Sequence, residues 1–349
     1  MTTLTPEAIR DLRSANSKMR ERDFARIHKI SEADLVASYV GLGNTRLTVD
    51  LPLLLEEMPS CGEVMALTRN ESVVHEKIGP FVKGISGHAG IVLGEQIDLR
   101  IFPSRWKYGF AVEKQGEDGE IRRSLQFFDG AGEAVFKIHS RPDTNLEAWQ
   151  AIVTKLTAPE QPQTVATVPY PQNNEAAGAP ASVAELRDSW DKLTDTHQFF
   201  GMLKRLNLTR VQALEMIGES YAWPVPPEAT AELMHGAAAQ PDLPIMIFAG
   251  NAGCIQIHSG PIHNISPMGP WLNVLDETFH MHLRLDHITQ AWVVRKPTDK
   301  GHVTSLECYD ASNELIVQFF GKRIEGQDER PAWRALAEGL PRLDQSNAA

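Results

Sequence analysis

The feature that most constrains this chain is that it resembles itself. The stretch "SLQFFDGAGE" (Ser124 to Glu133) lies against "SLECYDASNE" (Ser305 to Glu314), 181 residues on, with Ser, Leu, Asp and Glu matched in place. At the same offset "NESVVHEKIGP" from Asn70 faces "NAGCIQIHSGP" from Asn251, and Lys114 in "FAVEK" faces Lys296 in "WVVRK" at an offset of 182. Three ordered matches at nearly one offset indicate duplication, so the architecture to explain is one unit built twice.

The two copies flank a segment of different character. The stretch "APEQPQTVATVPYPQNNEAAGAPAS" is rich in Pro, Ala, Gln and Asn with almost no charge or periodicity, and it reads as a linker. The expected organisation is an N-terminal repeat over 1–158, a linker over 159–182 and a C-terminal repeat over 183–349. Each half opens with helical patterns (Thr5 to about Val40; Val183 to about Gly218). Strand-like alternations such as "AVFKIH", "TQAWVV" and "LIVQFF" follow, and a helix near Trp149 or Trp333 closes the half. Short consecutive strands joined by tight turns favour antiparallel pairing. The expected class is α+β, a tandem structural duplication with each half a large, mostly antiparallel sheet with flanking helices.

Charge narrows the function. With 34 Lys and Arg against 45 Asp and Glu, the net charge is −11, which argues against general binding to nucleic acid or anionic membranes. An anionic ligand must then meet a local cationic pocket. The N-terminus is charged where a signal peptide needs an apolar core, and no eighteen apolar residues run together, so a cytoplasmic location without stable membrane insertion is expected. Cys61, Cys254 and Cys308 show no CxxC spacing and predict neither a disulfide framework nor a zinc site.

Ser182 and Glu185 form an S-x-x-E capping box, which predicts a helix whose apolar stripe runs Leu186, Trp190, Leu193, His197, Phe200, Leu203. His197 is then expected to point from the apolar face, as a hydrogen-bonded core residue or as a ligand; the local pattern allows both. Phe199, Phe200 and Met202 nearby suit a flat apolar ligand such as a porphyrin, which needs apolar walls and one axial nitrogen donor. The first half offers Met19 and Arg20 at roughly that place, so the imidazole belongs to one copy only.

Cations for a ligand's carboxylates are available. Arg100 alternates with Phe102, which predicts both on one face of a strand, and Lys296 and Arg323 fall near strand ends where they can reach a pocket rim. Taken singly, each also reads as a solvated surface charge. His280 and His282 share a strand face without a carboxylate partner at useful spacing, with His287 close by, and the same reading of a solvent-facing strand applies to them. His75 could serve a secondary haem site, but its counterpart is Gln256 and the structural reading is preferred. There is no GxGxxG after a strand, no GxxxxGK[ST], no GxSxG, no HExxH and no CxxCH, and Cys61 lacks the Cys-Pro haem-regulatory pattern.

The combination "LTDTHQFFGMLKRLNLTRVQAL", "NAGCIQIHSGPI", "GPWLNVLDETFHMHLR", "AWVVRKPT" and "QFFGKR", with "RNESVVHEKIGP" and "IDLRIFPSRWKYGFAVEK", closely resembles the bacterial haem-utilisation family called hemin-degrading factor or hemin transport protein, the HemS/HmuS/ChuS/PhuS group. The resemblance spans nearly the whole chain apart from linker and tails. It implies a cytoplasmic protein binding haem b without a covalent link. His197 then looks like the proximal axial ligand of the iron, Arg100 like the distal residue with Phe102 beside the ring, and Phe200 like an apolar contact. Lys296 and Arg323 look like propionate or rim contacts, while Gln318 and Phe320 line the cavity. Some relatives carry tyrosines where this chain has Val317 and Phe320, so its polar network there departs from theirs.

Two functions follow from the resemblance. The first is a haem carrier of iron acquisition that takes imported haem to a recipient, with a haem importer, an oxygenase or a reductase as partner. The second is a haem-degrading, oxygenase-like enzyme that releases iron with an external reductant, in which Arg100 would act catalytically.

Overall fold

The structure is a computed structural model and describes residues 4–116, 118–169, 179–323 and 328–343. The chain forms two compact units, and the architecture is the expected α+β one, with large antiparallel sheets and flanking helices. Among the described residues no helix is long and apolar enough to cross a membrane.

The first unit opens with three helices: α1 (Pro6–Ala15), α2 (Glu21–His28) and α3 (Glu32–Ala37). Thr5 caps α1 and a Ser31–Asp34 capping box starts α3, supplying partners to backbone N–H groups that have none inside a helix. Then come β1 (Asn44–Leu47), α4 (Leu51–Glu57), β2 (Gly62–Arg69), β3 (Val73–Pro80), β4 (Gly90–Leu93) and β5 (Asp98–Ile101). The meander β6 (Tyr108–Gln115), β7 (Ile121–Phe128) and β8 (Ala134–Thr144) leads into α5 (Leu146–Leu156). The sheet order here is β1-β6-β7-β8-β2-β3, and β4 pairs with β5. Leu125, Phe127 and Ile138 project from one sheet face into a core with Leu54, Leu55 and Trp149 of α4 and α5. Each such side chain contributes about 1.5–3 kcal/mol by leaving water.

The second unit repeats the plan. Its helices α6 (Val183–Asp191), α7 (Gln198–Leu206) and α8 (Arg210–Ile217) precede β9 (Ala222–Val225) and α9 (Ala229–Ala238). The strands follow as β10 (Ile245–Gly250), β11 (Cys254–Gly260), β12 (Ile265–Met268), β13 (Trp271–Leu275), β14 (Phe279–Arg284), β15 (Gln290–Thr298), β16 (Gly301–Tyr309) and β17 (Leu315–Gly321), and α10 (Pro331–Glu338) closes. The order β10-β17-β16-β15-β9 forms the main sheet of this unit. Strand alternation sorts its two faces. Ile247, Val293, Leu306 and Phe319 pack with α9 and α10, whereas Trp292, Val294 and Tyr309 on the other face pack with α6, α7 and α8.

The matched sequence stretches occupy matched roles. Asp129 Oδ1 accepts from the backbone N–H groups of Ala131 and Glu133, and Asp310 Oδ1 accepts from those of Ser312 and Glu314. Each turn then needs one residue in the left-handed region, Gly132 at φ 84° and its counterpart Asn313 at φ 62°, and Gly and Asn are the residues that tolerate it best. The units also trade short segments: Asn70–Val74 belongs to the second unit and Gly250–Gln256 to the first. Asn70, the first residue of one segment, and Asn251, the second of the other, are held in the same way. Asn70 Nδ2 donates to the Ile316 carbonyl at 2.8 Å, and Asn251 Nδ2 donates to the carbonyl of Val135, the counterpart of Ile316, at 3.0 Å. Each Oδ1 accepts from two backbone N–H groups just ahead, those of Ser72 and Val73 or of Gly253 and Cys254.

Of the expected linker, residues 170–178 lie outside the described residues. The part just before them is bound to the first unit: Gln161 exchanges hydrogen bonds with the Arg46 backbone, and Gln163 Nε2 donates to the Val40 carbonyl at 2.8 Å.

Candidate functional site

The expected single helix with His197 in its buried stripe does not form. The Ser182–Glu185 capping box starts α6 as anticipated, but α6 ends at Asp191, and the chain turns through Lys192–Thr196 before α7 begins at Gln198. The turn has its own hydrogen bonds. Gln198 reaches back to the Thr194 N–H and hydroxyl, both at 3.0 Å, and the Asp299 N–H donates to the Thr194 carbonyl. A break of this kind shifts the helical phase. Phe199, Met202 and Leu203 face the core, and the Phe200 expected there is 72% exposed.

His197 therefore stands at the N-terminus of α7 with its side chain 90% exposed, not on an inward face. Asp195 governs the ring. Its Oδ1 lies 2.6 Å from His197 Nδ1 and accepts from the His197 backbone N–H at 2.7 Å. That backbone donation, outweighing slight desolvation, holds the Asp195 carboxyl below its ordinary range, so it is an anion at neutral pH. A carboxylate at Nδ1 places the ring proton there and leaves the Nε2 lone pair outward, which is the arrangement a metal-ligating imidazole uses. The sequence reading missed Asp195. Its signal was the short "DTH" spacing, which lets a carboxylate fold back on the imidazole two residues later.

Behind His197 the α7 helix rests on buried charge. Lys296 is only 3% exposed and its ammonium pairs with Glu307, itself fully buried. The expectation of a rim lysine is corrected here: Lys296 projects from β15 beneath α7, where its charge is committed to Glu307. Glu307 also accepts from Arg210 at 2.9 Å and from the Tyr309 hydroxyl at 2.6 Å. Burial alone would raise the Glu307 carboxyl, yet Lys296 and Arg210 hold it well below the usual carboxylate range. The Phe199 ring lies between these cations, 4.7 Å from Lys296 Nζ and 5.1 Å from the Arg210 guanidinium, with the Trp190 ring edge-on at 4.9 Å. A rigid floor thus carries the helix that presents His197.

The same sheet face continues into β17 and β10. Gln318 and Phe320 alternate out of the core there, half-buried, and Phe248 stacks edge-on against Phe320 at 5.0 Å. Arg323, just past β17, is close enough to help hold the Asp195 carboxyl down. Of the residues expected in the second unit, Lys296, Gln318 and Phe320 share this sheet face, His197 and Phe200 stand on α7 above Lys296, and Arg323 lies just past β17 near Asp195. Arg100 and Phe102 belong to the first unit. Arg100 sits on β5, paired with Asp98 and donating to the Leu99 carbonyl, while Phe102 lies just past the strand end and caps the 3-10 turn Pro103–Arg105. His75 is fully buried, and His282 Nδ1 lies 2.7 Å from Asn273 Oδ1. Among the described residues no three His, Cys, Asp or Glu side chains gather as a metal cage, but an axial haem site needs only one.

The family model described as the haemin-degrading HemS.ChuX domain matches the chain twice, over residues 29–156 and 207–340. The chain belongs to the HemS.ChuX family. The double match is the duplication found in the sequence, with one family domain in each half. The hemin transport protein HmuS of Yersinia pestis is 40% identical over 315 residues, covering 90% of each chain. The crystal structure of holo-PhuS, a heme-binding protein from Pseudomonas aeruginosa, superposes with a TM-score of 0.93 at 40% identity, covering 97% of this chain and 100% of that one. The heme degrading enzyme ChuS of Escherichia coli O157:H7 gives a TM-score of 0.86 at 35% identity, covering 95% and 96%. Neither HemS.ChuX span includes His197.

Proposed function

We propose that this member of the HemS.ChuX family is a cytoplasmic haem carrier of iron acquisition that accepts imported haem through His197 and yields it to a recipient. The supporting observation is the exposed imidazole whose Nδ1 is engaged by Asp195, leaving Nε2 free to meet an iron. The exposed Phe200 ring beside it supplies apolar surface for a flat ligand, and Phe320 and Gln318 add an aromatic and a polar contact from the sheet. Arg323 serves a propionate. Lys296, already paired with Glu307, supports α7 and Phe199 from below. By family likeness Arg100 takes the distal role with Phe102 beside it. Haem b bound without a covalent link is the cargo, in keeping with a sequence that carries no CxxCH motif. A single protein nitrogen on an exposed surface suits release, because transfer then breaks one coordinate bond.

The deciding experiment is haemin titration and transfer to an excess of apo-globin. In His197→Ala the ferric spectrum of the parent is expected to disappear or the transfer rate to rise sharply. An unchanged spectrum and rate would reassign the ligand, with His282 the next to test. Degradation is separated from carriage by adding reductant to the loaded protein with and without catalase. Turnover that catalase abolishes is side chemistry on a carrier, whereas a verdin product formed in its presence would make the chain an enzyme that uses an external reductant.

A further inference from the structure

The first unit contains a cavity of about 790 Å³ at the place where duplication puts the counterpart of the His197 floor. Strand register makes the correspondence. Gln126 pairs with Lys137 as Glu307 pairs with Gln318, and Leu67 faces Lys137 as Phe248 faces Gln318. Lys114 then stands where Lys296 stands, and His139 where Phe320 stands.

The chemistry has diverged between the copies. In the second unit one buried carboxylate, Glu307, sits between Lys296 and Arg210 and pairs with both. In the first unit its position is held by the uncharged Gln126, while Gln318 is replaced by Lys137. Glu32 must serve both Arg69 and Lys137, the latter at 4.0 Å. Lys114, Arg122 and Arg123 hold exposed or half-exposed carboxylates, Glu21, Asp118 and Glu113. Two buried polar atoms at the cavity have no hydrogen-bond partner, His139 Nε2 and Gln126 Oε1. Burial, outweighing the pull of Glu32, holds the Lys137 ammonium down at about 8, and burial together with Lys137 and Lys114 pushes the His139 ring to about 4. The cluster thus holds more positive character than its own carboxylates relieve. The aromatic walls are missing too: Leu67 is the apolar residue of the lining, where the second unit has Phe248 and Phe320.

We propose that this cavity binds a compact hydrophilic polyanion, a phosphate ester or a small tricarboxylate, held by Lys114, Lys137 and Arg123. Charge-assisted donors from several strands on one concavity are what such an anion needs, and a lining of charged side chains without Phe, Tyr or Trp walls disfavours a flat apolar macrocycle. This site is independent of His197.

The test is calorimetric titration of the full chain with pyrophosphate and, separately, citrate, against KCl of matched ionic strength. Saturable one-to-one binding below about 1 mM is expected for at least one anion, and the anion that binds identifies the phosphate or the carboxylate source. Gln126→Glu installs the carboxylate of the second unit and should abolish binding. The surface pair Lys114→Gln with Arg123→Gln should weaken it at least about tenfold, with circular dichroism confirming both folds. His197→Ala should leave it unchanged. Heats no larger than with KCl, or variants that bind like the parent, overturn the proposal. So does a second equivalent of haemin that Gln126→Glu removes, because the cavity would then take the macrocycle.

Discussion

At the scale of the residue, the orientation of His197 depends on Asp195. Hydrogen bonds to the far nitrogen of a ligating imidazole fix its tautomer and raise its basicity, and losing them typically costs 10–100-fold in metal affinity. Asp195→Asn is therefore expected to speed haem transfer to apo-globin by about tenfold while leaving thermal stability near that of the parent, since the carboxylate is exposed. A transfer rate equal to the parent would show that the Asp195 contact does not matter for the ligand. Lys296 carries the opposite lesson. A lysine in "VVRKPT" reads as a surface charge, and only the packing of α7 over β15 puts it 3% exposed against Glu307.

At the scale of the element, α7 is supported by a buried ion network, and removing one member should cost more than any contact it makes. Glu307→Gln leaves Lys296 and Arg210 uncompensated, and a loss of about 3–5 kcal/mol is expected in urea unfolding. Adding Lys296→Met should recover part of that loss, because an apolar side chain replaces a stranded buried charge; a double variant less stable than the single one contradicts this account. Helix α10 provides the pH test. Glu338 accepts from Arg295 of β15 at 2.8 Å and lies 3.1 Å from His302 of β16. Burial would raise its carboxyl, but Arg295 and His302 prevail and hold it at about 2, below its ordinary 4.5. A folded value below the unfolded one gives stability that is present above about pH 4.5 and lost as the pH falls toward 2. With the partners partly exposed, the effect is on the order of 1–2 kcal/mol. Urea midpoints measured between pH 5 and pH 3 should fall more steeply for the parent than for Glu338→Gln, and parallel curves would remove Glu338 from the account.

At the scale of the whole molecule, duplication extends to single hydrogen bonds. Asn70 and Asn251 each stand at the beginning of a segment that belongs with the other half of the sequence, as its first and second residue respectively, and each bonds backbone groups of that segment and of the unit it joins. Replacing either by Ala orphans those groups and should cost about 1–3 kcal/mol. Equivalent roles predict similar losses for Asn70→Ala and Asn251→Ala in chemical denaturation. If one substitution proved harmless, the two segments would not be energetically equivalent.

Much of this was readable along the chain. The 181-residue offset, the turn residues at Asp129 and Asp310 and the strand alternation determined the repeated α+β plan, because turn geometry and side-chain alternation are set by residues close in sequence. The α6–α7 break was not readable. The apolar spacing from Leu186 to Leu203 fits one helix, and what opposes it is the anchoring of the turn, where Thr194 meets Gln198 and the distant Asp299 backbone. Nor could local pattern say which cations stay free, since Glu307 reaches Lys296 and Arg210 only after three separate elements pack. The sequence by itself determined the duplication and singled out His197. Tertiary structure alone decided that His197 faces outward while Lys296 faces inward, because exposure and charge pairing depend on which distant segments pack together.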